Sequence, residues 1–259
     1  MQFAFDKLDT IAKRMILAVQ DYSIFCWNAV GNLARSPHYW SDVMTQADLI
    51  GVGSLPIVVL TGFFTGGVLA LQSASSLAQF GAQAYTGRFV SLSMIRELAP
   101  VLTGLMVSGR NASGMASELG SMVVTEQIDA MRALGTDPMK KLVTPRMLAT
   151  VVMLFLLTIV SDTVGTAGGA FVAVFMSSQN GTQYFDSAYQ ALVYGDIVQG
   201  LTKPVFFGFI IATVGCFFGM KTTGGTQGVG RATTQAVVVS SVLIIFSDFI
   251  ISRIMIWIF

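Results

Sequence analysis

Five long apolar stretches alternate with shorter polar ones along most of this chain. They cover residues 52–78, 90–121, 147–176, 199–220 and 233–258. Each exceeds the roughly 20 residues that a helix needs to cross the hydrocarbon of a bilayer. The pattern therefore predicts an all-α integral membrane protein with about five transmembrane helices between residues 52 and 258. The second stretch, at about 48 Å of helix, must tilt, bend at Pro100 or extend into water.

The N-terminal segment has the three-to-four repeat of an amphipathic helix instead. Its apolar face includes Tyr22, Phe25, Ala29 and Leu33, and its polar stripe consists of Arg14, Asp21, Asn28 and Arg35. Such a helix suits the membrane interface. We predict an interfacial helix over residues 8–35, then a turn at headgroup depth that contains the single histidine, His38.

Composition supports this class. Hydrophobic residues make up 53% of the 259 residues and charged ones only 11%, against about 25% charged residues in soluble domains. The formal net charge of +1 gives no electrostatic case for nucleic acid. Cys26 and Cys216 form no Cys-x-x-Cys pattern, so the sequence supports neither a disulfide framework nor a metal site.

The basic residues of the connecting segments orient the spans. With the N-terminus inside, ten Lys and Arg residues lie on the cytoplasmic side and three on the outer side. This positive-inside bias predicts a cytoplasmic N-terminus and a C-terminus on the outer side. Gln20 and Asp21 interrupt the first apolar run, which argues against a signal peptide.

Small residues recur every four positions in the first two spans. The two columns are Gly62, Gly66, Ala70, Ala74 and Ala78, and Gly104, Ser108, Ala112, Ala116 and Gly120. Such columns let helix backbones approach closely. They are consistent with packing inside one subunit or at a contact with another helix-bearing partner.

A short polar segment, "TEQIDAMRALGTDP", separates the second and third spans. Val124, Ile128, Met131 and Leu134 recur on one helical face, and Gly135 and Pro138 are typical of a helix end. We predict a short amphipathic helix over residues 123–135 on the cytoplasmic side. It is either a passive interfacial connection or a docking element for a cytoplasmic protein.

Two blocks resemble a known family. The stretch "RELAPVLTGLMVSGRNASGMASELGSMVVTEQIDAMRALGTDP" and the later "GGTQGVGRATTQAVVVSSVLIIFSDFI" are similar to the two characteristic motifs of MlaE permeases. These are subunits of ABC transporters that work with MCE proteins. Ala99 stands where family members often have Gly. The resemblance covers nearly the whole chain and implies a single permease domain over residues 1–259.

The resemblance implies that the segment between spans two and three is a coupling helix seated in a groove of an ATPase subunit. The residues it would place at that contact are Glu126, Gln127, Asp129, Arg132, Gly135, Asp137 and Pro138. The chain itself has no ATP site, because "GCFFGMKT" lacks the P-loop spacing and follows an apolar span. ATP and Mg would be bound by the partner, leaving no cofactor in this chain.

Several charges fall within or near the spans. A charge at the bilayer centre costs about 3 kcal/mol, so most should face protein or a cavity. We expect Arg110, Glu118, Asp162 and Asp248 to form pairs that lock the bundle, with Asp162 or Asp248 as a partner of Arg110.

Another set of charges lies toward the outer span ends, namely Arg96, Glu97 and Lys203. These groups either snorkel to the interface or contact a lipid phosphate. The family resemblance implies a lipid cavity between two subunits, which favours all three as lipid-binding candidates.

The resemblance therefore implies a homodimeric permease of a bacterial inner membrane, moving phospholipid to or from a periplasmic MCE protein and supporting outer-membrane lipid homeostasis. A cytoplasmic ATPase and a STAS-domain regulator are implied as partners, and the lack of a transit-peptide pattern favours a bacterial source. The rival is an ion-coupled secondary transporter using Asp162 and Asp248. No inverted repeat is evident in the five spans, which argues against that rival.

Overall fold

The computed structural model describes residues 2–34, 37 and 39–258, and within these residues it contains helices and no β-strand. Arg35 and His38, at the predicted end of the interfacial helix and in the turn after it, lie outside the described residues. The α-helices are α1 (Gln2–Gly31), α2 (Trp40–Ala78), α3 (Thr86–Ser93), α4 (Ala99–Val107), α5 (Ser113–Val124), α6 (Gln127–Ala133), α7 (Thr144–Phe175), α8 (Gly181–Ala191), α9 (Tyr194–Met220) and α10 (Gly225–Ile258).

Five helical stretches in this part of the chain are long and apolar enough to cross a membrane, which confirms the predicted spans. They are Trp40–Ala78, Gln83–Val124, Met139–Phe175, Tyr194–Met220 and Gly225–Ile258. All five begin earlier than the apolar pattern indicates, because a helix satisfies its own backbone hydrogen bonds and can continue beyond the hydrocarbon. The loops containing α6 and α8 join successive spans, so they lie at opposite ends of the bundle, called here the α6 end and the α8 end.

Span two is a continuous but irregular helix. Two π-helical turns, Met94–Leu98 and Ser108–Ala112, separate α3, α4 and α5. Pro100 has no backbone N–H and cannot donate to the carbonyl of Arg96. The Nζ of Lys203 on α9 donates to that carbonyl instead, at 2.8 Å. The irregular turn therefore coincides with a tertiary hydrogen bond at the predicted proline bend.

Both columns of small residues pack inside the subunit except at Ala78, which is exposed. A Cβ at Gly66 would overlap the backbone carbonyl of Gly165 on α7, so α2 and α7 approach as closely as two helices can. In the second column, Ala112 and Ala116 face Gly215 and Gly219 of α9. Small residues on both partners allow this contact without a cavity.

The spans differ in how much of their surface the subunit covers. The most apolar window of α9 is 61% buried, whereas that of α10 is only 11% buried. Span α9 is therefore the centre of the bundle. Helix α10 leaves a broad apolar surface that includes Val242, Phe246 and Phe249.

Helix α1 is anchored to the α6 end of α9. The hydroxyls of Tyr22 and Thr213 lie 2.8 Å apart, and Asp21 forms an ion pair with Lys221. Burial raises the pKa of the Tyr22 hydroxyl, since it disfavours the charged phenolate. Part of the predicted apolar face thus packs on protein, while Leu17, Ile24 and Trp27 of α1 stay more than half exposed, as an interfacial helix requires.

Candidate functional site

Toward the α8 end, a buried lysine lies between two carboxylates. Lys203 has no exposed side-chain surface, and its Nζ lies 2.5 Å from Glu97 and 2.9 Å from Asp248. These partners come from span two and α10, so the lysine of α9 ties three spans together. A buried ammonium is tolerated only with such compensation.

Next to Glu97, Arg96 pairs with a further carboxylate, that of Asp196. Its Nε donates to Asp196 at 2.7 Å, and the other oxygen of Asp196 accepts from the backbone N–H of Val193 at 3.0 Å. Asp196 is nearly buried and caps the start of α9, where a carboxylate is favourable. We call Arg96, Glu97, Asp196, Lys203 and Asp248 the ion cluster.

Two neutral side chains also donate hydrogen bonds to Glu97. Gln199 Nε2 lies 3.3 Å from Glu97 Oε1, and Ser252 Oγ lies 3.1 Å from the same oxygen. The Glu97 carboxylate therefore accepts hydrogen bonds from side chains of α9 and α10 and also forms an ion pair with Lys203. This fixes its position although its side chain is 43% exposed.

The exposed side of the ion cluster borders a cavity of about 620 Å³. Its wall is mostly apolar and aromatic, with charged groups at particular places. We call it the α3 cavity; its lining residues are Leu77, Tyr85, Arg88, Phe89, Leu92, Ser93, Arg96, Glu97, Gln199 and Ile256. An apolar cavity with a few fixed polar groups is the usual form of a small-molecule site.

The structure changes the roles expected for two of these charges. Lys203 was expected at headgroup level, but its burial leaves no surface for a headgroup in this conformation. Asp248, expected as a possible partner of Arg110, pairs with Lys203 instead. Both differences arise because α9 and α10 turn these residues toward each other, which span boundaries alone do not specify.

The remaining intramembrane charges have separate environments. Arg110 is exposed and donates to Ser54 Oγ at 3.0 Å and to the Leu49 carbonyl at 3.3 Å. Glu118 pairs with Arg146 of α7 at 2.6 Å. Asp162 has one buried carboxylate oxygen without a hydrogen-bond partner among the described residues. Arg110 therefore pairs with neither of the two aspartates named as candidates.

The second candidate site is α6. It spans only Gln127–Ala133 and is separated from α5 by Glu126, whose φ of 59° is left-handed. The predicted helix over 123–135 is thus two helices with a sharp break. Glu126, Gln127, Asp129 and Arg132 are exposed, and Asp129 and Arg132 pair with each other at 2.9 Å.

The end of α6 has the geometry that its sequence indicates. Gly135 has a φ of 77°, its N–H donates to the Arg132 carbonyl, and Thr136 N–H donates to the Met131 carbonyl. These two bonds define a Schellman motif. Asp137 is exposed and accepts from the Met139 N–H at 2.9 Å, and Pro138 is buried behind it.

The apolar face of α6 differs from the expected one. Ile128 is buried and Met131 is half-buried, but Leu134 is 83% exposed and Val124 is also exposed. Because α6 ends at Ala133, the helical period does not carry Leu134 onto the buried face. The helix therefore rests on the bundle through a shorter contact than the periodicity predicts.

Sequence reasoning missed Asp196, Gln199, Ser252 and Arg146 as partners. A signal was present for three of them. Asp196, Gln199 and Lys203 follow one another at spacings of three and four residues, and Ser252 follows Asp248 by four. Residues at these spacings lie on the same face of a helix. No such signal joins Arg146 to Glu118, since they lie on different helices.

No group of His, Cys, Asp and Glu side chains in the described part of the chain could hold a metal ion. Cys26 is half-buried, Cys216 is buried, and both are free thiols. What the structure defines is a multi-pass helical membrane protein with a charged cavity at one end and a short exposed helix at the other.

Comparison of the sequence with known proteins identifies the family of this membrane protein. The family model of Permease MlaE matches residues 43–254. A probable ABC transporter permease protein of Rickettsia felis is 42% identical over 95% of this chain and 96% of its own length. The chain therefore belongs to the MlaE family of ABC transporter permeases, which confirms the resemblance seen in the sequence.

The similarity extends beyond one bacterial group. A probable ABC transporter permease protein of Synechocystis is 41% identical over 83% of this chain and 81% of its own length. The Arabidopsis thaliana protein named Trigalactosyldiacylglycerol 1, chloroplastic, is 37% identical over 88% of this chain and 65% of its own length.

Proposed function

We propose that this chain is the membrane subunit of a transporter that moves phospholipid between a bacterial inner membrane and a periplasmic MCE protein, supporting lipid homeostasis of the outer membrane. The observation that carries the proposal is the α3 cavity, which joins an apolar wall to the ion cluster. A phospholipid has both parts that such a site matches. The name of the Arabidopsis relative contains that of a glycolipid, which is consistent with a lipid substrate.

The apolar wall would accommodate an acyl chain, with Leu77, Phe89, Leu92 and Ile256 as its contacts. Burial of each methylene contributes about 0.8 kcal/mol. Arg96 and Glu97 would lie beside the bound lipid, held in place by Asp196 and Lys203. In this proposal Lys203 positions Glu97 and does not itself contact the headgroup.

Energy would come from a separate ATPase subunit that binds ATP and Mg, because membership of an ABC family favours ATP over an ion gradient. The exposed polar face of α6 would dock on that ATPase. Two copies of this chain would form the permease, with the uncovered surface of α10 available for contact. A STAS-domain regulator would complete the assembly, with the N-terminus cytoplasmic and the C-terminus periplasmic.

A reconstituted transfer assay tests the proposal. Proteoliposomes containing the permease, its ATPase and the MCE protein should pass fluorescent phospholipid to acceptor vesicles when ATP is supplied. Leu92→Trp should reduce this transfer severalfold by filling the α3 cavity. The matched control is Leu60→Trp, on an exposed face of α2, which should transfer lipid normally. Equal transfer by both variants would exclude the cavity as the lipid site.

The subunit count has its own measurement. Native mass spectrometry of the active complex should show two permease chains and two ATPase chains. A fully active complex with one permease chain would contradict the dimer.

A further inference from the structure

Two arginines line the α3 cavity, and their electrostatic environments differ. Arg96 is bound to Asp196 by an ion pair. Arg88, on α3, is exposed, and no carboxylate of the described residues lies within the 4.0 Å of an ion pair. Among the described residues, therefore, Arg96 has a carboxylate partner and Arg88 has none.

The part of the cavity next to the ion cluster is unfavourable for an anion. The ion cluster holds two cations, Arg96 and Lys203, and three carboxylates, which gives it a formal net charge of −1. Its lysine is fully buried, whereas Glu97 is 43% exposed and lines the cavity. Arg96 also lines the cavity and is 46% exposed, but its guanidinium is already paired with Asp196. A phosphate placed there would compete with Asp196 for Arg96 and would lie beside the Glu97 carboxylate.

The part of the cavity next to Arg88 is favourable by the same reasoning. Arg88 precedes Arg96 by eight residues of nearly continuous helix, about 12 Å along the axis. Arg88 forms no ion pair with Glu97, so a phosphate can contact Arg88 without displacing that carboxylate. Phe89 and Leu92 lie between the two levels and offer apolar surface where an acyl chain would run.

We infer that Arg88 is the residue that binds the phosphate group of the lipid, and that it selects phosphate-bearing lipids over uncharged ones of equal acyl composition. This inference rests on the proposed function and specifies its substrate class. A guanidinium is suited to the task because it forms paired, charge-assisted hydrogen bonds with phosphate oxygens. The ion cluster, whose two cations are already paired with carboxylates, then forms a rigid wall of the cavity.

Binding measurements on the purified full chain test this assignment. The probes are a fluorescent phosphatidylglycerol and a diacylglycerol with the same acyl chains and fluorophore. Arg88→Gln should weaken phosphatidylglycerol binding by about ten- to a hundredfold, the range expected when a hydrogen-bonded charge is removed, and should leave diacylglycerol binding unchanged. Arg88→Lys should retain most of the affinity for phosphatidylglycerol.

The matched control is Arg253→Gln. Arg253 is an exposed arginine of α10 toward the same α8 end of the bundle, and it does not line the cavity. It should bind both probes normally. A large excess of inorganic phosphate, which lacks acyl chains, should leave the bound lipid in place. Displacement by phosphate would overturn a lipid headgroup as the occupant.

The possible failures are distinguishable. If the unaltered protein binds neither probe, the lipid site of the proposed function is wrong. If it binds phosphatidylglycerol and Arg88→Gln does so equally well, the function stands and the assignment of Arg88 is overturned. Loss of the dimer in Arg88→Gln, with lipid affinity kept in the isolated subunit, would also overturn it and would make Arg88 an interface residue.

Discussion

The ammonium of Lys203 lies 2.9 Å from a carboxylate oxygen of Asp248, joining α9 to α10 through two charges that both belong to membrane spans. Since α10 is otherwise little covered by its own subunit, this pair is one of its few polar attachments. Glu97 shares the same ammonium from span two. The stability of the α8 end therefore depends on a single fully buried cation.

We expect Lys203→Met to destabilise the protein by about 3–5 kcal/mol, because it leaves two partly buried carboxylates uncompensated. Unfolding of the purified subunit in detergent, followed by circular dichroism, measures the change. Adding Glu97→Gln and Asp248→Asn to Lys203→Met should recover much of the loss, since the charges are then removed together. A triple variant no more stable than the single one would show that packing, and not charge, is responsible.

The crossing of α2 and α7 predicts a strong steric effect. Gly66→Val should destabilise the fold or prevent its assembly, because its first side-chain carbon would overlap the Gly165 carbonyl. Gly230→Ala on α10, where nothing lies within 4 Å, is the matched control and should be neutral or slightly stabilising. Yield and thermal unfolding in detergent compare the two. Equal behaviour would mean that the helices can separate at this point without cost.

The end of α6 predicts a smaller and more local effect. Gly135→Ala should cost about 1 kcal/mol, because its φ of 77° is unfavourable for a residue with a Cβ. Gly135→Asn should cost less, since Asn tolerates this conformation better. Hydrogen exchange at the amides of residues 131–136 should report faster opening in the Ala variant. Unchanged exchange in the Ala variant would show that the loop can adopt another conformation without a free-energy cost.

Charge reversal on α6 tests the proposed coupling role. Glu126→Lys and Asp129→Lys should weaken ATPase binding or uncouple hydrolysis from lipid transfer, because both side chains are exposed and available to a partner. For the same reason, neither change should destabilise the subunit much. Surface substitutions usually change stability by less than about 0.5 kcal/mol, so a large functional loss indicates an interface. Pull-down of the ATPase and the transfer assay provide the readouts.

The control for that experiment is Asp186→Lys, because Asp186 is also an exposed acidic residue and lies on α8 at the opposite end of the bundle. It should keep both ATPase binding and coupling. If the α6 variants behave like this control, α6 is a passive connection between spans two and three.

The apolar pattern by itself determined the fold class, the number of spans and the presence of a short polar helix between the second and third. These features follow from local quantities: the length of helix that crosses hydrocarbon, and turn residues such as Gly135 that favour one backbone conformation. The sequence also marked Arg96, Glu97 and Lys203 as unusual, because charges in apolar spans are costly.

Only the tertiary structure decided which of these charges are compensated. Pairing depends on the rotation of each span about its axis and on the crossing of α9 with span two and α10, and neither is fixed by the apolar period. Lys203 thus became a buried partner of Glu97 and Asp248. Arg88, unremarkable in the sequence, became the cavity arginine that has no counter-ion among the described residues. Likewise, Leu134 fits the helical period but is exposed, because the helix ends one residue earlier, where the Schellman motif turns the chain.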